Sequence, residues 1–171
     1  MRELYARMAV AVAMLAGVVA AGGQQLQPYT STDGRFTVSF PQAEVKQSSQ
    51  AVNLKSGATT TLYQFWVEIA DNNVSYLVMY NDYPANYANG DPQTVLATTR
   101  DGAVNGKTLV SDIAISLNGV PGREFTAKED TWNYTVRQFL HGTRLYQLIV
   151  VSNSANPAAQ TSDFLNSFKI F

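Results

Sequence analysis

Between Gly119 and Val151 the sequence GVPGREFTAKEDTWNYTVRQFLHGTRLYQLIVV leaves little choice of architecture. It holds three β-prone runs, roughly 121–128, 132–140 and 144–152. They are separated only by the polar run Lys128-Glu129-Asp130 and the tight turn His141-Gly142-Thr143. Strands joined this closely pair antiparallel as a meander, because a parallel return needs a crossover of about a dozen residues. Tyr134, Val136 and Leu140 share one face of the middle strand, while Arg137, Phe139 and His141 share the other. Residues 145–151 are nearly continuously apolar, the pattern of a central strand covered on both sides.

The same reading extends upstream. Asp33-Gly34 between two β-prone runs predicts a hairpin, with the glycine taking the positive φ of the turn. Phe36, Val38 and Phe40 alternate with Thr37 and Ser39 to give one buried face, and Pro41 ends the run. Residues 44–54 read as a polar edge strand. Thr59 to Ile69 places Tyr63, Phe65, Val67 and Ile69 on one face, and Val74 to Tyr80 carries apolar side chains on both. Asp71-Asn72-Asn73 is the turn between them.

Residues 81–90 lose all periodicity. Asp91-Pro92 then starts a helix that runs to about Asn105, with Asp91 as N-cap. Its glycine and β-branched residues make it weak in isolation, so packing on a sheet must hold it. Thr108 to Leu117 alternates, with Leu109, Ile113, Ile115 and Leu117 on one face. Asn118-Gly119 and Pro121-Gly122 bend the chain into the meander. A second helix starts at Asn156-Pro157, with Thr161, Phe164, Leu165 and Phe168 at helical spacing. The expected fold class is α+β, an antiparallel β-sheet with one helix on each face.

The first residues follow a different logic. Arg2 and Arg7 precede an apolar run from Met8 to Ala21, small residues close it, and polar Gln24-Gln25 follow. That layout predicts a secretory signal peptide over 1–23, cleaved between Ala21 and Gln24, and one exported domain over 24–171. The apolar core is short for a spanning helix, so no stable membrane span is expected after removal. A domain of this size buries close to 70% of its unfolded surface. It has no cysteine, which excludes lipid attachment at the cleavage site and leaves the core without disulfides. Ten basic and twelve acidic residues remain in 24–171, without a basic run. This argues against nucleic acid and anionic membranes as partners.

Candidate chemistry is sparse. His141 is the one histidine, so a Ser-His-Asp triad would have to use it, yet it falls at a turn. Zinc needs several His or Cys ligands. Asp71-Asn72-Asn73 and Glu129-Asp130 offer oxygens without a calcium-loop spacing. Glu68, Glu124, Glu129 and Asp112 are scattered, and no cofactor or metal is expected. Asn73-Val-Ser75 and Asn133-Tyr-Thr135 match a glycosylation sequon, a tripeptide common by chance. The most distinctive surface is aromatic: Tyr83, Tyr87 and Trp132 fall in loops or at strand starts and are the candidate partner-binding residues. The alternative is that these tyrosines fold back over the sheet edge.

Asp33-Gly-Arg-Phe36 with Val38-Ser-Phe-Pro41, Gly119-Val-Pro-Gly-Arg-Glu-Phe125, Val136-Arg-Gln-Phe-Leu140, Arg144-Leu-Tyr-Gln-Leu148 and Phe164-Leu-Asn-Ser-Phe-Lys-Ile170 together form a pattern. It resembles bacterial exported domains of the PsbP/Mog1/DcrB-like superfamily over essentially all of 27–171. The resemblance implies an α/β/α sandwich around an antiparallel sheet and a non-catalytic accessory, binding or chaperone-like role. It carries no functional residue across. The resulting expectation is a secreted or periplasmic, non-enzymatic module whose partner is another protein or a small ligand. Two alternatives stand beside it. One is a chaperone-like domain that shields an apolar partner segment in a sheet-helix groove. The other is a hydrolase acting on glycan or peptide, which requires a deep pocket with facing carboxylates.

Overall fold

The computed structural model describes residues 25–41, 44–54, 57–69, 73–85, 90–153, 155 and 158–171. The strands are β1 Gln27–Ser31, β2 Phe36–Phe40, β3 Lys46–Asn53, β4 Thr59–Ile69, β5 Val74–Asp82, β6 Thr108–Leu117, β7 Val120–Glu129, β8 Trp132–His141, β9 Arg144–Asn153 and β10 Lys169–Ile170. Helix α1 spans Pro92–Ala103 and α2 spans Thr161–Asn166. Seven strands form one antiparallel sheet in the order β3-β4-β5-β9-β8-β7-β6. The predicted meander is β7-β8-β9, and β6 precedes it as a further hairpin arm. Its last strand returns to β5, so the most apolar run lies at the centre with Tyr76 opposite Val150 and Val78 opposite Leu148. No helix among the described residues is long and apolar enough to cross a membrane.

The two faces are covered differently. Phe65 and Val67 of β4, Val74, Tyr76, Val78 and Tyr80 of β5, and Tyr146, Leu148 and Val150 of β9 share a core with Phe36, Val38 and Phe40 of β2 and with Phe164, Leu165 and Phe168. This face is roofed by a second sheet, β1-β2-β10, together with α2. The antiparallel sheet is as expected, but the cover over one face is not helix alone. One face carries α1, and the other carries a small sheet and one and a half turns of helix. The reason is that the 33–35 hairpin and the Lys169–Ile170 strand pair with each other's neighbourhood, β10 with β2, instead of extending the large sheet.

Helix α1 is fixed by the features its sequence supplies. The Asp91 carboxylate accepts from the Thr94 backbone N–H at 3.0 Å, and Pro92 opens the first turn. Its Leu96 is fully buried with Leu54, Leu140 and Leu145. Thr99 Oγ1 donates to Gln138 Oε1 at 2.9 Å, and Gln138 Nε2 donates to Gln147 Oε1 at 3.2 Å. This buried polar chain ties α1 to β8 and β9, each amide finding a partner as a buried polar group requires. Arg100 on the last turn and Arg123 on β7 converge on Asp112 of β6. Arg123 is bidentate at 2.6 and 2.9 Å, and Arg100 Nη1 adds a third hydrogen bond.

Glycine positions depart from the sequence reading. At the first turn Arg35 takes the positive φ of 54°. Gly34 is needed for another reason, since a Cβ there would lie 2.6 Å from the Phe36 ring and 2.7 Å from Ser31 Oγ. Pro121 and Gly122 do not bend the chain; they lie inside β7. Pro121 pairs with Ser116 of β6, at the end of β7 where the recorded pairing to β8 has not begun. The turn is made by Asn118 and Gly119, both at positive φ. A Cβ on Gly122 would meet the Phe139 ring at 2.5 Å and the Gln138 carbonyl at 2.7 Å. Because one of these neighbours is backbone, Gly122→Ala is expected to cost about 1–3 kcal/mol. Urea unfolding checks this, and an unchanged midpoint would contradict the packing described.

Candidate functional site

β6 is the outermost strand of the large sheet beside β7. A bulge between Leu109 and Ser111 shifts its register, so Leu109 and Ile113 lie on opposite faces and not on one face as the alternation predicts. Ile113, Ile115 and Leu117 keep the common face. The described residues include five exposed large hydrophobic side chains, and three of them are on this strand: Leu109 at 39%, Val110 at 56% and Ile113 at 56% exposure. Singly exposed apolar residues are ordinary, but three of the five fall on this one edge strand, Leu109 on one face and Ile113 on the other. The opposite edge, β3, reads KQSSQAVN and presents polar side chains and Lys46, the usual protection of an open edge.

Behind β6 the sheet surface opens into a groove of about 310 Å³, lined by Ile115, Ser116, Leu117, Arg137, Phe139, Leu165, Asn166 and Phe168. Its floor depends on Gly122, which pairs with Ile115 on one side and Phe139 on the other. With no side chain there, the Phe139 ring lies across β7. The ring stacks on Phe168, with centroids 5.9 Å apart and planes 8° from parallel. The far wall is α2, which is too short to reach β6. Arg137 closes one end: its Nε is paired with Glu124, and its Nη1 donates to Asn166 Oδ1 at 2.8 Å. The arginine charge is thus balanced inside the protein. The lining mixes apolar side chains with the polar Ser116, Arg137 and Asn166.

The predicted partner-binding residues are not brought together. Tyr83 is buried at 4% exposure among Leu54, Leu96, Leu140 and Leu145, which removes it from any surface. Its backbone N–H donates to the Thr143 carbonyl at the β8–β9 turn. The cause is that Tyr83 packs against Leu96 and Val95 of α1, under the helix. Trp132 is half-buried at the other end of β8. Nine strand steps separate that position from the turn, about 30 Å. Tyr87 lies outside the described residues.

The other candidates are accounted for by packing. His141 is exposed beside the Gly142 turn. Glu129 accepts from the Tyr134 hydroxyl at 3.1 Å and faces Lys107 at 3.4 Å. Burial, with the Glu129 carboxylate, pushes the Tyr134 phenol up to about 12. Asp71 lies outside the described residues. Among those described, no three His, Cys, Asp or Glu side chains gather where they could hold a metal. Arg144 is bidentate to Asp82 at 2.7 Å, donates to the Asp33 carbonyl and covers the Tyr80 ring at 4.7 Å. This cluster fastens the β1–β2 hairpin to the large sheet. Burial pushes the Tyr80 phenol up to about 12 despite the arginine.

The groove residues were missed because Ile113, Ile115 and Leu117 alternate as a buried face does. One signal was available. The first strand of a meander has a sheet neighbour on one side only unless a later segment joins it, and no run in the sequence remains to do so.

No family model matches the chain, and no curated protein matches it. Among solved structures it is similar to cyanobacterial PsbP (CyanoP) from Synechocystis sp. PCC 6803, at 14% identity and a TM-score of 0.56, over 92% of this chain and 99% of that one. It is also similar to PA94 from Pseudomonas aeruginosa, a protein of unknown function, at 11% identity and a TM-score of 0.45, over 82% of this chain and 92% of that one. With the antiparallel seven-stranded sheet, the small second sheet and the two helices in place, this chain has the PsbP-like fold.

Proposed function

We propose that this chain is an exported, non-catalytic binding module that shields a neutral, apolar segment of another protein. The observation that carries the reading is the groove between β6–β8 and α2, whose apolar side, Ile115 and Leu117, runs on into the exposed Ile113 of β6. Of the readings weighed, this is the chaperone-like one, and it specifies the partner-binding surface as Ile113, Ile115 and Leu117, with the buried Leu165 beneath them. A hydrolase would need two carboxylates facing a substrate. The groove lining contains none, and nearby Glu124 is held by Arg137. Export rests on the sequence of residues 1–23, which lie outside the described residues.

The test uses two synthetic peptides, one alternating valine with threonine and one of serine and glycine alone. The apolar peptide is expected to bind, and Leu117→Asp to weaken it at least about tenfold, because a carboxylate must then be desolvated against apolar groups. Ile115→Asp serves as a second variant should Leu117→Asp lose its fold. Equal binding of both peptides, or unchanged affinity in a folded variant, would remove the groove from the account.

A further inference from the structure

The edge strand itself carries a more specific assignment than the groove. Over residues 111–117, beyond the bulge, β6 pairs with β7 on one side only. Ser111, Ile113, Ala114 and Ser116 are exposed, so no other part of the described chain covers the strand. Its outward N–H and C=O groups form a template for a further strand. The β3 edge is polar along nearly its whole length, whereas on β6 the protection is confined to the bulge at Val110 and to Asp112, and residues 113–117 carry neither charge nor bulge.

The sequence of this edge is self-complementary. Two copies related by a twofold axis perpendicular to the sheet pair antiparallel, and each residue must face a partner on the same side of the sheet. The axis therefore passes through a residue. An axis at Asp112 would set two carboxylates directly opposite. An axis at Ile113 would leave them on a short diagonal and bring the bulge at Val110 into the ladder. An axis at Ile115 would pair only five residues before the Asn118-Gly119 turn. An axis at Ala114 pairs all seven regular residues. It sets Ser111 against Leu117, Asp112 against Ser116, and Ile113 against Ile115, with Ala114 facing itself. The two Asp112 carboxylates then stand four residues apart, about 13 Å. The Ile113–Ile115 contacts take apolar area out of water, which favours the pairing.

The geometry points to a homodimer in which β6 of one copy pairs with β6 of a second around Ala114. The two seven-stranded sheets become one continuous sheet. The twofold keeps both grooves on the same side, next to one another, and the exposed Ile113 side chains become covered. The assignment shares Ile113 with the proposed peptide surface but rests on the strand edge, and its failure is read from cross-linking and sedimentation, separately from the peptide test.

The natural absence of cysteine makes the register directly testable. Residues facing each other across an antiparallel ladder have Cα atoms about 4.5–5.5 Å apart, within disulfide range. In the otherwise unmodified chain, Ala114→Cys is expected to give a disulfide-linked dimer under mild oxidation. Ser116→Cys, whose copies would lie about 13 Å apart, is expected to stay monomeric on a denaturing gel. Sedimentation of the wild-type chain should show a concentration-dependent dimer, and Ile113→Lys should shift it toward monomer. A wild-type chain that is monomeric at every concentration overturns the proposal, as does equal cross-linking at positions 114 and 116. Amide exchange slowed over 111–117 only when a different polypeptide is added would assign the edge to that polypeptide and also overturn it.

Discussion

Phe168→Ala is expected to lower stability by about 3–5 kcal/mol, the range for removing a buried aromatic ring, and to reduce Tm by roughly 10–15 °C. The ring is fully buried and contacts Phe36, Phe139 and Tyr146, with centroids 5.6, 5.9 and 5.5 Å away. It joins β2 of the small sheet to the β8–β9 hairpin of the large one, segments about a hundred residues apart in sequence. The cavity left behind cannot close easily, since its walls are strands fixed in two ladders. The two-residue β10 that follows is held by its pairing with β2, by Ile170 against the core, and by Arg35, whose carbonyl accepts from the Phe171 N–H and whose Nε donates to the Phe171 carbonyl at 3.1 Å. Urea unfolding, with the midpoint shifting and the slope unchanged, is the check. A loss below about 1 kcal/mol would mean that this segment is not seated between the sheets.

Asp112→Ala is expected to cost about 3 kcal/mol, because it leaves two partly buried guanidinium groups without their shared carboxylate. The loss falls on α1, which has little helical preference of its own and relies on Arg100 to fasten its last turn to β6. The same carboxylate gives a pH signature. Burial pushes the Asp112 carboxyl up, but hydrogen bonds from Arg123 and Arg100, with their charges, outweigh it and hold the group below the usual carboxylate value. A group depressed in the folded state adds stability that is complete above its unfolded value, about 3.9. That stability is lost as pH falls through the lower folded value. Stability of the wild-type chain should therefore fall below about pH 4, and Asp112→Ala should flatten that slope. It will not abolish it, since the hydrogen bond from Arg144 depresses Asp82 in the same window. An acid slope unchanged by Asp112→Ala would contradict the clamp.

Turn chemistry and alternation made much of the fold legible, because both are local. His141-Gly142-Thr143, Asn118-Gly119 and Asp91-Pro92 each act through the φ or the hydrogen bonds of their own residues, and the meander and α1 follow from them. What sequence alone did not reveal depends on contacts between distant residues. The split into two sheets turns on whether β2 prefers β10 or the large sheet, and nothing within residues 36–40 decides that. Gly122 reads as a turn residue until Phe139, seventeen positions later, is seen to lie across it. Alternation says that Ile113, Ile115 and Leu117 share a face but not whether anything covers that face. Tyr83 shows the converse, since a tyrosine in an aperiodic stretch reads as surface yet α1 packs over it. The candidate site was thus the least legible part: Phe139, Leu165 and Phe168 belong to the core, Ile115 and Leu117 pack against it, and of the alternating face of β6 Ile113 alone is left exposed.

The central claim is that this uncovered face receives an apolar segment, and methyl-resolved NMR with the valine-threonine peptide tests it most directly. Titration should move the methyl signals of Ile113, Ile115, Leu117 and Leu165 together, with one saturation curve, and leave those of the central core residues Val78 and Leu148 in place. Shifts confined to other surfaces, or no shift at Leu117 and Leu165 while the peptide binds, would contradict it.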